Sequence, residues 1–103
     1  MSTATAQDKR FETKEKAAVE VYGRSGVVVA HLRNLSKSGA CIEWEMDGSP
    51  LIKGDLVRVT VSLNALRKRH LVNAEVMWSA GKKSGIQFID SNKLIEKMLV
   101  KGI

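Results

Sequence analysis

From Ala17 onward the chain alternates between apolar and polar positions. Val19 and Val21 are separated by Glu20, and Tyr22 adds a residue that suits extended backbone. Gly23-Arg24-Ser25-Gly26 then reads as a hairpin connection. Val27 to Ala30 and Leu32 form a nearly continuous apolar run, which predicts a second strand covered on both faces. Asn34 to Gly39 is the next turn. Ala40, Ile42 and Trp44 alternate with Cys41, Glu43 and Glu45, giving a third strand. Asp47-Gly48-Ser49-Pro50 and Lys53-Gly54-Asp55 carry turn chemistry within one loop, Met46 to Gly54 and its exit. Leu56 to Val61 is a fourth strand, Asn64 to Arg69 a polar connection, and Leu71 to Trp78 a fifth strand. A turn over Ala80 to Ser84 leads into the sixth, Gly85 to Ile89.

Six short strands at close spacing predict an antiparallel all-β sandwich or barrel. Closure into a barrel removes the exposed edges that a small sheet must otherwise protect. The tail changes period. Leu94, Ile95, Met98 and Leu99 fall on one helical face over 91–101. Asp90, Ser91 or Asn92 can cap the helix, and Gly102 is a stop. An apolar face of this kind plugs or lids the barrel, or else forms a dimer contact. Upstream, residues 1–8 hold no core former and read as a disordered lead. Residues 9–16 are charged around Phe11 and read as an arm draped over the domain. The expected organisation is a single domain: arm 9–16, barrel 17–89 and helix 91–101.

Composition narrows the function. A chain of 103 residues is long enough for one core and too short for two domains. The lone cysteine, Cys41, forms no intrachain disulfide, reads as a small buried hydrophobe and favours a reducing compartment. No apolar run reaches the ~20 residues that span a bilayer, and the first residues lack the apolar stretch of a signal peptide. The expected location is the cytoplasm. A net charge of +6 favours an anionic partner, whether nucleotide, nucleic acid, acidic membrane or acidic protein.

No catalytic set is legible. His31 and His70 have no Cys, Asp or Glu at metal-ligand spacing, and there is no phosphate loop. Glu43, Glu45 and Glu75 occupy outward strand positions. We expect a non-enzyme without cofactor or metal.

Two segments carry candidate chemistry. In the turn Asn34-Leu35-Ser36-Lys37-Ser38-Gly39, Asn tolerates unusual backbone, Ser36 supplies a hydroxyl and Gly39 permits close approach. Such a turn either connects strands and no more, or holds donors towards an anion or base edge. In the arm, Arg10 can fork onto a phosphate or a guanine edge, and Lys9 and Lys14 add charge. The bland reading is a solvated basic segment. Arg33 beside the turn reaches either ligand or solvent. Trp78 is a rim residue or a stacking platform. Arg67, Lys68, Arg69 and His70 form a basic patch, either solvated or facing an acidic partner.

The run Asn34-x-Ser36-x-x-Gly39, the upstream Arg10-x-x-x-Lys14, and the closing segments Ala74-Glu75-Val76-Met77-Trp78 and Gly85-Ile86-Gln87-Phe88 together resemble the PilZ family. The resemblance implies a six-stranded split β-barrel with a C-terminal helix. It implies binding of cyclic di-GMP, one or two nucleotides, between the arm and the (Asp/Asn)-x-Ser-x-x-Gly turn. The ligand residues so implied are Lys9, Arg10, Lys14, Asn34, Ser36 and Gly39, with Arg33 and Trp78 as possible additions. The family arm is Arg-x-x-x-Arg, and this chain has Lys14 at its second position. A register with Arg10 second places Ala6 first and keeps fewer cations. Three functions follow: a cyclic di-GMP receptor or adaptor, monomeric or dimerising with ligand, in a process such as motility; a degenerate protein-interaction module blind to the nucleotide; or a small barrel that binds nucleic acid, which the scarcity of aromatics disfavours.

Overall fold

The computed structural model describes residues 11–12, 15–45, 50–63 and 68–103. The period-two pattern is realised as β1 (Phe11–Glu12), β2 (Lys16–Val21), β3 (Val28–Leu35), β4 (Gly39–Glu43), β5 (Leu56–Leu63), β6 (Lys68–Ala80) and β7 (Lys83–Ile89), followed by α1 (Ser91–Lys101). Six of these strands pair antiparallel in the order β3-β2-β5-β6-β7-β4, and the β3–β4 pairing closes the barrel. This is the expected all-β barrel. The two-residue β1 is an addition. It lies against β3, with Phe11 opposite Leu35 and Glu12 opposite Asn34. Phe11 and Glu12, within the stretch expected as a draped arm, therefore enter the sheet, and Lys16 already belongs to β2.

The core follows from alternation. Ala17 and Val19 of β2, Ala30 and Leu32 of β3, Ala40 and Ile42 of β4, Val57 and Val59 of β5, and Ala74 and Val76 of β6 all point inward and are buried. Trp44, just past β4, is 2% exposed and fills the same interior. The second strand is covered on one face only: Val29 is 58% exposed, because nothing among the described residues packs outside it. Strand ends extend further than the sequence suggested. Asn34 and Leu35 complete β3, so only Ser36 to Ser38 turn. β6 runs from Lys68 to Ala80, so Lys68 and Arg69 are strand residues while Arg67 lies outside the described residues.

Helix α1 is capped by Asp90, whose Oδ1 accepts from the Lys93 N–H at 2.8 Å. It ends at Gly102, which adopts φ 78° and donates its N–H to Leu99 and Met98 carbonyls. The helix does not plug the barrel. Along β5, Val57, Val59 and Val61 face the core, so Leu56 faces outward, yet it is only 1% exposed. Its cross-strand partner is Glu75, and Lys97 Nζ of the helix sits 2.9 Å from Glu75 Oε1. The helix thus lies on the outer face of β5 and β6. Leu94 alone of its residues is buried; Ile95 and Leu99 remain exposed, which corrects the expected four-residue face.

Candidate functional site

The β3–β4 turn is held by its own serine. The Ser36 N–H donates to the Gly39 carbonyl at 2.9 Å. Ser36 Oγ donates to the same carbonyl at 3.2 Å and accepts from the N–H groups of Ser38 and Gly39, each at 3.3 Å. A hydroxyl has one donor and two lone pairs, so these bonds use its full capacity. Ser36 shapes the loop rather than presenting a spare hydroxyl. The turn is tied to the neighbouring strand where the Phe88 N–H donates to the Ser38 carbonyl at 2.8 Å. Gly39 is required by crowding: a Cβ there would overlap the Ile86 carbonyl oxygen.

Two β-bulges decide which residues face the site. In β3, Leu32 pairs with Ile42 but Asn34 pairs with Cys41, so two steps on β3 match one on β4. Without that extra residue Asn34 would share the inward phase of Ala30 and Leu32. With it, Asn34 turns outward. In β6, Val76 pairs with Ile86 while Trp78 pairs with Gly85, a second bulge at Met77. Trp78 would otherwise follow Ala74 and Val76 into the core. The two bulges place Asn34 and Trp78 at opposite ends of one outward row, Asn34–Cys41–Gly85–Trp78, each member the cross-strand partner of the next. Three strand spacings separate the ends, about 14 Å. Glu12 of β1 extends the row beyond Asn34.

Over this row lies an open cavity of about 300 Å³, lined by Ser36, Ser38, Gly39, Cys41, Met77, Trp78, Gly85 and Gln87 among others. It is roomy because two lining positions are glycine. Cys41, expected in the core, is half-buried on the cavity floor: it has the outward phase between Ala40 and Ile42. Trp78 is 45% exposed and forms a wall. Asn34 stands beside Cys41, outside the lining itself.

Arg33 is engaged. Its Nε lies 2.6 Å from Glu43 Oε1. That bond holds the Glu43 carboxyl below the ordinary value, against some desolvation, with the charges of Arg33, Lys83 and His31 adding to the effect. His31 Nε2 is 2.9 Å from Glu45 Oε1, which lowers the Glu45 pKa in the same way. Lys9, Arg10 and Lys14 lie outside the described residues. The structure therefore brings together the turn and Trp78 and adds Cys41, Met77, Gly85 and Gln87, which sequence reasoning missed as site residues. Only Gly85 had carried a signal, as a glycine opening a strand. Among the described residues no group of three His, Cys, Asp or Glu could hold a metal. Among the described residues no helix is long and apolar enough to cross a membrane.

Comparison with known proteins gives the same architecture. The family model described as "PilZ domain" matches residues 5–102. The PilZ domain of CeSA from a cellulose-synthesizing bacterium superposes with a TM-score of 0.67 at 18% identity, covering 91% of this chain and 96% of that one. The PilZ domain of YcgR from Escherichia coli, solved with c-di-GMP, gives 0.69 at 9% identity over 92% and 88%. At those identities the likeness is one of fold. No curated protein matches the sequence.

Proposed function

The chain belongs to the PilZ domain family, a family of non-enzymatic cyclic di-GMP receptor domains, and we propose that it is itself a receptor or adaptor for that nucleotide. The observation that carries this reading is local. The turn with the family's pattern, Asn34-x-Ser36-x-x-Gly39, borders the cavity, and β1 runs antiparallel to the strand entering that turn, with Phe11 opposite Leu35. The basic residues Lys9, Arg10 and Lys14 are chain neighbours of β1, so covalent connection limits how far they stand from the turn. In this reading Arg10 forks onto a phosphate or a guanine Hoogsteen edge, and Lys9 and Lys14 supply point charges. Asn34 meets a guanine, while Ser36 and Gly39 hold the turn in shape. Ligand draws Lys9, Arg10 and Lys14 onto the turn, and this alters the surface offered to a downstream protein.

Isothermal titration of the chain with cyclic di-GMP, beside Arg10→Ala, tests the reading. Micromolar or tighter binding that the variant loses supports it. Absence of heat in the unmodified chain at high ligand concentration refutes it.

One observation favours a second reading, a nucleotide-blind interaction module. Lys14 replaces the fork-forming arginine, while Leu99 and Val100 of α1 are 75% and 88% exposed and offer an apolar surface to a partner. Partner capture indifferent to cyclic di-GMP would select it.

A further inference from the structure

The barrel has two ends, and the β3–β4 turn occupies one of them. β2, β4 and β6 run away from that end, and β3, β5 and β7 run back towards it. At the far end the strand connections and the last turn of α1 are tied together. Arg24, after β2, pairs with Asp55 and donates to the Pro50 carbonyl. The same Asp55 carboxylate accepts from the Ile52 N–H at 2.9 Å, which fixes the segment entering β5. Ile52 and Lys53 share an open cavity of about 300 Å³ with Ser79, Ala80 and Gly81 of the β6–β7 hairpin. The helix end lies against both neighbours: a Cβ at Gly23 would touch Ile103, and one at Gly54 would stand 3.7 Å from Lys101 Nζ. This end is apolar at its tips. Val27 is 58% and Ile52 67% exposed, and Leu99, Val100 and Ile103 are exposed beside them. Cations interleave with them, since Lys53, Lys82 and Lys101 are exposed too. Among the described residues that these contacts join, the one acid is Asp55, and Arg24 neutralises it.

We propose that this end of the barrel is a docking surface for an anionic lipid bilayer. The proposal does not depend on the receptor reading, because none of these residues belongs to the turn or the arm. Exposed apolar side chains grouped on one surface mark a contact with another body. Two features select the occupant. The apolar side chains are spread over two strand connections and a helix end rather than gathered in one stripe. A fluid acyl layer admits separated side chains without a matching pocket for each, whereas a rigid protein surface has to supply those pockets. The charge is the second feature. A second copy docked face to face would bring Lys53, Lys82 and Lys101 against their own counterparts. Anionic headgroups complement the same lysines, whose long stems lie along the apolar layer while the ammonium stays among the phosphates. The surface is pre-formed, since Leu94 anchors α1 and Arg24 ties the connections together. Docked this way, the protein keeps the β3–β4 turn on the side facing away from the membrane.

The test is co-sedimentation of the full chain with vesicles of phosphatidylcholine alone, or of phosphatidylcholine and phosphatidylglycerol in equal parts, at low and high salt. We expect binding to the mixed vesicles, weakened by salt, and none to phosphatidylcholine alone. Ile52→Ser and Leu99→Ser should each weaken binding roughly tenfold, the loss of one buried apolar side chain. Lys53→Gln and Lys101→Gln should each weaken it about fivefold. Leu71→Ser is the control: Leu71 is 63% exposed but lies towards the other end of β6, so its loss should change nothing. All five positions are exposed, so the fold should survive, and circular dichroism of each variant checks that it does. Equal binding to both vesicle types overturns the anionic occupant. Binding that Ile52→Ser and Leu99→Ser leave unchanged reports only the net charge and overturns the surface, as does an equal loss in Leu71→Ser. No sedimentation with either vesicle overturns the proposal; self-association that Ile52→Ser abolishes would then assign the surface to a second copy.

Discussion

The indole N–H of Trp44 donates to Ser84 Oγ at 3.3 Å, joining the exit of β4 to β7 inside the barrel across 40 positions of sequence. Ser84 is fully buried, and its hydroxyl also meets Ser79 Oγ at 2.7 Å. Ser84→Ala leaves a buried indole N–H without its acceptor. The cost should be about 1–3 kcal/mol, and each kcal/mol should lower Tm by about 4–8 °C in a domain of this size. Thermal unfolding followed by circular dichroism measures it; an unchanged Tm would show that the indole N–H finds another acceptor.

Gly39→Ala should destabilise the β3–β4 turn. Its Cβ would meet a backbone oxygen, that of Ile86, which cannot move without shifting β7. Overpacking of this kind costs about 1–3 kcal/mol. Urea denaturation should show a lower midpoint at an unchanged slope.

The arm should follow the chemistry of its cations. Arg10→Ala should abolish cyclic di-GMP binding, and Lys14→Arg should tighten it by restoring a fork. One good bidentate contact is worth about 1–3 kcal/mol, roughly five- to 150-fold in Kd. Calorimetry giving the same affinity for both variants as for the unmodified chain would move the site away from the arm.

Glu43 should titrate below its ordinary value of 4.5 because Arg33 hydrogen-bonds the ionised form. A depressed folded pKa means that the pair's contribution is complete above the unfolded value and fades as pH falls through the folded one. Arg33→Ala should return Glu43 towards its ordinary value, as read by carboxyl NMR. A titration unaltered by the variant would assign the shift elsewhere.

Leu94→Ala should release the helix while leaving the barrel folded, since Leu94 is the buried anchor of α1. Truncating a buried leucine costs about 2–5 kcal/mol. Hydrogen exchange should speed up in 91–101 and stay slow in β5 and β6. Uniform acceleration would mean that helix and barrel unfold as one unit.

Much of the fold was legible because its signals are local. Alternation from Ala17 to Ile89 specified strands, and Asp90 with Gly102 bounded the helix through caps that involve only near neighbours. The turn residues Ser36 and Gly39 were legible for the same reason. The expected burial of Cys41 and the expected plugging of the barrel by the helix were not realised; lidding and a dimer contact were the other readings of that helix. A strand with apolar residues on both phases does not declare which face is inside, and an amphipathic stripe does not declare what it covers.

Sequence alone therefore determined the six main strands along the chain, the all-β class, the capped helix and the motif turn. Each depends on periodicity or on residues within one turn of each other. Only the tertiary structure decided that Asn34 and Trp78 share an outward row, that Gly85 lies beneath an indole, and that α1 rests outside the barrel. Those outcomes depend on register. One bulged residue reverses the face of every side chain after it, and a register is set by pairing between strands distant in sequence.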